Sequence, residues 1–162
     1  MTDYYVKHLK VSLPLKDAEA IIDHALRISR ENQLLPLAVS VLDAGGHLVA
    51  FKREDGVGIM RVDIATGKAW GALGMGISSR TIRDRLADRI AFQASLATAS
   101  QGRFVPVPGG VLICEDGAVI GAVGISGDAS DKDEFAAIEA IKAANFSSHP
   151  ESPMDNWSEA GL

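Results

Sequence analysis

The segment from Val105 to Gly127 limits the folds open to this chain more than any other. Pro106-Val107-Pro108-Gly109-Gly110-Val111 leads into an apolar run ending at Cys114, a turn at Glu115-Asp116-Gly117, and the glycine-punctuated run Val119–Gly127. The two prolines fix φ and stop any preceding helix from continuing. Gly109 and Gly110 then let the backbone turn sharply, or approach another group without a Cβ in the way. The segment therefore predicts a rigid elbow feeding a buried antiparallel hairpin. Such an elbow can hold backbone N–H groups at a pocket rim, and it can equally just begin a strand. The spacing of Gly121, Gly124 and Gly127 is not a dinucleotide fingerprint, because these glycines fall within a strand and not at a strand-to-helix turn.

The rest of the pattern surrounds that hairpin with helices and one more hairpin. Leu15 to about Glu31 has helical spacing, with Ala18, Ile21, Ile22, Ala25, Leu26 and Ser29 sharing a face. Ser12 is the candidate cap, and Pro14 suits the first turn. Leu37–Leu42 and His47–Lys52 flank a turn at Asp43-Ala44-Gly45-Gly46, a hairpin signature, and both strands are apolar enough to predict that at least part of each packs on both faces. Met60 to Met75 reads as a helix weakened by Gly67, Gly71 and Gly74, whose spacing permits close packing against a neighbour. Ser78 or Ser79 caps a further helix through Arg89, which Ile90–Ala99 either extends or follows as a separate short helix. A last helix spans about 130–144, with Asp131, Asp133 and Glu134 in its first turn, where the helix dipole favours negative charge. Short hairpins imply antiparallel pairing, hence an α+β domain. Residues 1–145 form one domain, and the polar tail 146–162 is expected to be extended or mobile, with Trp157 as a potential anchor.

Composition narrows the function. A chain of 162 residues can bury a core without staples. A net charge of −5 disfavours nucleic-acid or anionic-membrane binding. The basic cluster Arg80, Arg83, Arg85 and Arg89 is interleaved with Asp84 and Asp88, so it reads as a solvated helix face with internal ion pairs. Cys114 alone permits no intrachain disulfide, and its apolar surroundings suggest a small core residue. No apolar run reaches membrane-spanning length. Met1-Thr2-Asp3-Tyr4-Tyr5 lacks the features of a signal peptide, so the cytoplasm is the expected location.

Several residues can carry chemistry, each against a plainer alternative. His47 begins a strand after a glycine turn and could be an axial haem ligand, another metal ligand or a general base; the alternative is a turn histidine bonded to backbone or water. His24, off the centre of its helix's apolar face, could ligate at an interface or simply sit partly exposed. No histidine pair has zinc-site spacing. Lys68 could meet a substrate carboxylate or be a desolvated amine, and could also be a snorkelling surface lysine. Arg53 carries the same ambiguity, with better geometry for a carboxylate. Asp133 and Glu134 could serve as base and charge partner, or only as acids at a helix start.

The elbow Pro106–Val111, Gly117, the run Val119–Gly127, Asp133-Glu134, Val41–Leu48 and Ala65–Ala69 together resemble the GlcG/HbpS family, domains often labelled haem-degrading and also found at the C-terminus of PduO-type proteins. The resemblance covers about residues 12–145. It implies a five-stranded antiparallel sheet flanked by helices, of the profilin-like kind, and a homo-oligomer built from dimers into tetramers or octamers. Some relatives bind haem, and others are encoded beside catabolic enzymes. Trp70-Gly71 stands where the family pattern suggests threonine, which would reshape any pocket beside that helix.

Two functions follow as expectations. The first is a small-ligand-binding module for haem or another tetrapyrrole, with His47 or His24 as iron ligand and Pro108, Gly109, Gly110 and Trp70 lining the site. The second is a cofactor-independent lyase or isomerase acting on a small carboxylate-bearing intermediate. In it Arg53 and Lys68 hold the carboxylate, His47 or Glu134 moves a proton, and the Gly109-Gly110 backbone stabilises an oxyanion. The second requires these residues to meet at one pocket.

Overall fold

The computed structural model describes residues 7–162; the opening segment Met1–Tyr5, read above for its lack of a signal, lies outside the described residues. Helix α1 (Leu15–Glu31) precedes the hairpin β1 (Ala38–Asp43) and β2 (Leu48–Arg53). Three helices follow, α2 (Met60–Met75), α3 (Ser79–Leu86) and α4 (Ile90–Ala99). The second hairpin is β3 (Gly110–Glu115) and β4 (Ala118–Ser126), and the chain continues through α5 (Ser130–Ala143) and β5 (Ser147–His149). The five strands form one antiparallel sheet in the order β2-β1-β4-β3-β5. The fold is α+β.

Period-two alternation sorts the strand residues onto two faces. Val39, Val41, Val111, Ile113, Val123 and Ile125 point to one side and form the main core with α1 and α5. Leu42, Leu112 and Ala122 point to the other side, against Ala69 and Ala72 of α2. This second layer is built from small residues, so α2 lies very close to the sheet. A Cβ on Gly124 would strike the Ala65 carbonyl oxygen, and one on Gly110 would strike the Lys68 carbonyl oxygen. The α2 glycines have a different partner from the sheet. Gly67 and Gly71 make room for Val105 and Phe104 in the segment leading to the elbow.

Local expectations hold or fail for identifiable reasons. Ser78 caps α3 by accepting the Thr81 N–H at 3.2 Å. Ser12 does not cap α1, whose N-cap position is Pro14; its hydroxyl accepts the Ala44 N–H instead, at 3.1 Å. Burial on two faces is true of β1 but not of β2, which is the outer strand and is half-buried or exposed along its length. The tail is drawn further into the fold than its polarity predicts. Ser147–His149 pairs with β3 as the fifth strand, and Trp157 stacks on Phe135 of α5 with ring centroids 3.6 Å apart. Short polar segments give no periodic signal, but β3 offers an unpaired edge that such a segment can occupy. Among the described residues, no helix is long and apolar enough to cross a membrane.

The close approach of α2 to the sheet gives a direct test. Gly124→Ala should cost ~3 kcal/mol or more, because the new methyl meets helix backbone and not a yielding side chain. Gly58→Ala, where a Cβ would meet nothing within 4 Å, should be neutral or stabilising by up to ~1 kcal/mol. Urea unfolding midpoints at constant slope measure both.

Candidate functional site

Two regions gather the residues singled out by the sequence. The first is a buried polar centre where the ends of β3 and β4 meet the start of α5. Lys68 extends from α2 past the strand ends, and its Nζ donates to the Ile125 carbonyl at 2.8 Å and to Asp133 Oδ2 at 2.9 Å. Both side chains are almost wholly buried. Asp133 also accepts the Asp128 N–H at 3.0 Å. Gly109 covers the ammonium group at φ 118°, and a Cβ there would lie 2.9 Å from Nζ and 2.8 Å from the Ile125 oxygen. Only glycine satisfies both the dihedral and the space. Gly110 donates its N–H to Ser79 Oγ at 2.8 Å, and Pro108 is buried beside it. Burial pulls Lys68 below its usual range and pushes Asp133 up to about 6, while the opposite charge of each partner resists the shift.

Glu134, the next residue of α5, turns toward α3. It is 1% exposed, and Arg80 Nε lies 3.1 Å from its Oε1. Neither carboxylate oxygen receives a hydrogen bond of good geometry among the described residues. Burial pushes Glu134 up to about 7; Arg80 and Arg83 oppose this, and Asp131 and Asp84 add to it. Arg80 also donates to the Ser152 carbonyl at 2.9 Å, so it ties the tail to this centre. It therefore does not belong to the solvated face that the alternating charges predict.

The second region is a groove along the outer side of α2. Its polar end, of about 400 Å³, is lined by Asp63, Thr66, Gly67, Trp70, Gly102 and Arg103. Its apolar end, of about 170 Å³, is lined by Trp70, Gly71, Gly74, Met75, Leu96 and Phe104 among others. Trp70 is common to both ends. The Arg103 guanidinium lies over the indole, 4.2 Å from the ring centroid. The β1–β2 turn abuts the same indole, since a Cβ on Gly46 would lie 3.3 Å from its Cδ1 and Nε1.

His47 stands on that turn with its side chain largely exposed. Asp43 Oδ1 accepts the N–H groups of Gly45 and His47 at 2.9 and 3.0 Å and lies 3.3 Å from His47 Nδ1. A Cβ on Gly45 would collide with the imidazole, so that glycine lets the ring fold over the turn. The imidazole is thus set beside a carboxylate, at ion-pair distance and without a hydrogen bond of good geometry to it. His24 is placed differently. It is half-buried on α1, across the sheet from α2, with Nδ1 3.5 Å from an Arg27 nitrogen.

The predicted residues thus fall into separate groups. Lys68, Pro108, Gly109 and Gly110 converge in the buried centre, with Glu134 beside them. Trp70 lines the groove, and Gly46, the neighbour of His47, abuts its indole. Arg53 lies elsewhere, in an open polar groove with Arg30, Pro36, Glu54 and Asp55. The structure does not bring Arg53, Lys68, His47 and Glu134 around one cavity. Lys68 and the Gly110 N–H already have protein partners. Arg103 is the residue that the sequence reading missed; a lone arginine after Gln101-Gly102 has no motif to mark it. Among the described residues, no group of three or more His, Cys, Asp or Glu side chains is placed to hold a metal ion.

The comparisons with known proteins agree with this fold. The family model described as haem-degrading protein HbpS-like matches residues 13–142. The corrinoid adenosyltransferase PduO of Salmonella typhimurium is 30% identical over 140 residues, which are 86% of this chain but only 41% of PduO. A 15.0 kDa protein from the dhaT–dhaS intergenic region of Citrobacter freundii is 31% identical over 78% of this chain and 84% of its own length. The crystal structure of a PduOC:heme complex superposes with a TM-score of 0.75 at 28% identity, covering 86% of this chain and 99% of that one. The Klebsiella pneumoniae protein ORFY superposes at 0.76 with 23% identity, over 90% and 98% of the two chains.

Two measurements test the buried centre. Lys68→Met should cost ~3–5 kcal/mol by leaving Asp133 buried without a counter-ion, and adding Asp133→Leu should recover most of that loss. The second concerns Glu134, whose folded pKa near 7 lies above its unfolded value of about 4.3. The native state holds the extra proton between those values, so stability falls as pH rises through that window and levels off above it. Glu134→Gln should flatten the slope by about 1 kcal/mol per pH unit in urea titrations from pH 4.5 to 7.

Proposed function

The chain belongs to the HbpS-like family, and on that footing we propose that it binds a small ligand, with haem or a related tetrapyrrole as that ligand. The observation that carries this reading is the fold shared, at 28% identity, with a protein crystallised with haem. Within this chain, the α2 groove and the adjoining β1–β2 turn are the seat that fits best. The groove supplies an apolar wall of Trp70, Met75, Leu96 and Phe104. The turn supplies His47, an exposed imidazole beside the Asp43 carboxylate that is available to a metal. Bound there, haem would bring the redox and ligand-binding chemistry of its iron. The protein's part is to hold the macrocycle and to set one axial ligand.

At about 170 Å³ the apolar end is smaller than the 300–1,000 Å³ typical of enclosed ligand pockets, so a tetrapyrrole would lie against the groove and be covered from outside. An oligomer built from copies of this chain would provide that cover. Helix α4 supports assembly: it is apolar, yet none of its residues is buried, and Ile90 and Phe92 are exposed.

Titration of the purified protein with haemin tests the reading. A Soret shift saturating near one haemin per binding site is expected, and no shift at stoichiometric haemin would overturn it. His47→Ala should abolish the axial-ligand signature of the bound spectrum, whereas His24→Ala should leave it unchanged. The reverse result would move the ligand to α1.

A further inference from the structure

The groove beside α2 is amphipathic along its length, and among the described residues neither of its charged side chains, Asp63 and Arg103, has an ion-pair partner. From Asp63 through Thr66, Gly67, Trp70, Gly71 and Gly74 to Met75, the α2 residues follow three- and four-residue spacing, so they line one side of the helix. The opposite wall is the segment from Leu96 to Phe104, held close because Gly67 and Gly71 carry no Cβ. Polar groups collect at one end and apolar groups at the other, with Trp70 between them.

Arg103 is fixed in this groove by two contacts. Its Nε donates to the Ser100 carbonyl at 3.1 Å, and its guanidinium plane rests on the Trp70 ring. Among the described residues it forms no ion pair, and its terminal N–H groups have no protein acceptor. Asp63, which lines the same end, is not within ion-pair distance of it. The guanidinium is thus held in place while its bidentate edge stays free, the arrangement in which arginine recognises a carboxylate.

We propose that Arg103, stacked on Trp70, is the carboxylate-recognising residue of the α2 groove and takes the acidic substituents of an amphipathic planar ligand. The inference rests on the tetrapyrrole reading above and deepens it. The apolar body of the ligand lies toward Met75, Leu96 and Phe104, and its carboxylates lie toward Arg103. Trp70 has two roles here: its face holds the guanidinium, and its edge forms part of the apolar wall. Threonine at that position would provide neither, so Trp70 and Arg103 act as a specificity pair.

The test uses metal-free protoporphyrin IX and its dimethyl ester, followed by quenching of tryptophan fluorescence and by the porphyrin emission. Without iron, binding reports recognition of the macrocycle and its carboxylates independently of His47. The wild-type protein should bind the free acid about ten- to a hundredfold more tightly than the ester, the range expected for one charge-assisted contact. Arg103→Ala should lose that margin for the acid and leave ester affinity unchanged. Arg103→Lys should retain only part of it, because the ammonium lacks the planar fork. Equal affinity of the wild type for acid and ester would overturn the proposal, as would an Arg103→Ala loss that is the same for both. The haem reading fails separately, if haemin gives no Soret shift while the carboxylate preference for protoporphyrin persists.

Discussion

The buried Lys68–Asp133 pair is the contact on which the arrangement of layers depends. Lys68 belongs to the helix on one face of the sheet, and Asp133 begins the helix on the other. Their meeting point is the end of β4, where the Ile125 carbonyl accepts the second hydrogen bond of the ammonium group. Charge so deeply buried is costly unless it is paired and hydrogen-bonded, and here both conditions are met. The pair therefore acts less as a source of stability than as a registration device. Only one placement of α2, the sheet and α5 leaves neither charge stranded.

The elbow gains its meaning from that pair. Pro108 sets the approach, Gly109 passes over the ammonium group, and Gly110 hands its N–H to Ser79. Its backbone closes the buried centre, with the Gly110 N–H and the Gly109 carbonyl both bonded within the protein. With α2 fixed in this way, its outer side is fixed too, and the groove follows. The same helix that carries Lys68 inward carries Trp70 outward two residues later. The small residues at the sheet and the glycines facing Val105 and Phe104 let α2 touch neighbours closely on both sides. Glu134 extends the buried centre toward α3 and the tail through Arg80, which joins Ser152 to α5.

Much of the architecture could be read from residue order. The helix at Leu15–Glu31, both hairpins and the helix from Met60 rest on local periodicity and turn chemistry, which depend on neighbours within one or two turns. The fifth strand could not be read, because Ser147–His149 is short and polar and owes its state to the free edge of β3. The proposed site was legible only in part. His47 and Trp70 are unusual types in marked positions, but Arg103 is not. Lys68 was noticed for its charge in a small-residue helix, without a sign that its partner would be Asp133, 65 residues away.

The sequence by itself determined the α+β class, the two hairpins, the family and the need for glycine after the proline elbow. Those properties follow from backbone dihedrals and hydrophobic period, which are short-range. The tertiary structure decided which polar groups are spent within the protein and which remain free. It closed Lys68, Gly110 and Asp133 on one another, left Arg103 over Trp70 with open donors, and set His47 against Asp43. The reason is that a charged or hydrogen-bonding side chain has no role until its partner is known. For Lys68, Gly110 and Arg103 the partners, Asp133, Ser79 and Trp70, come from elements far apart in the chain.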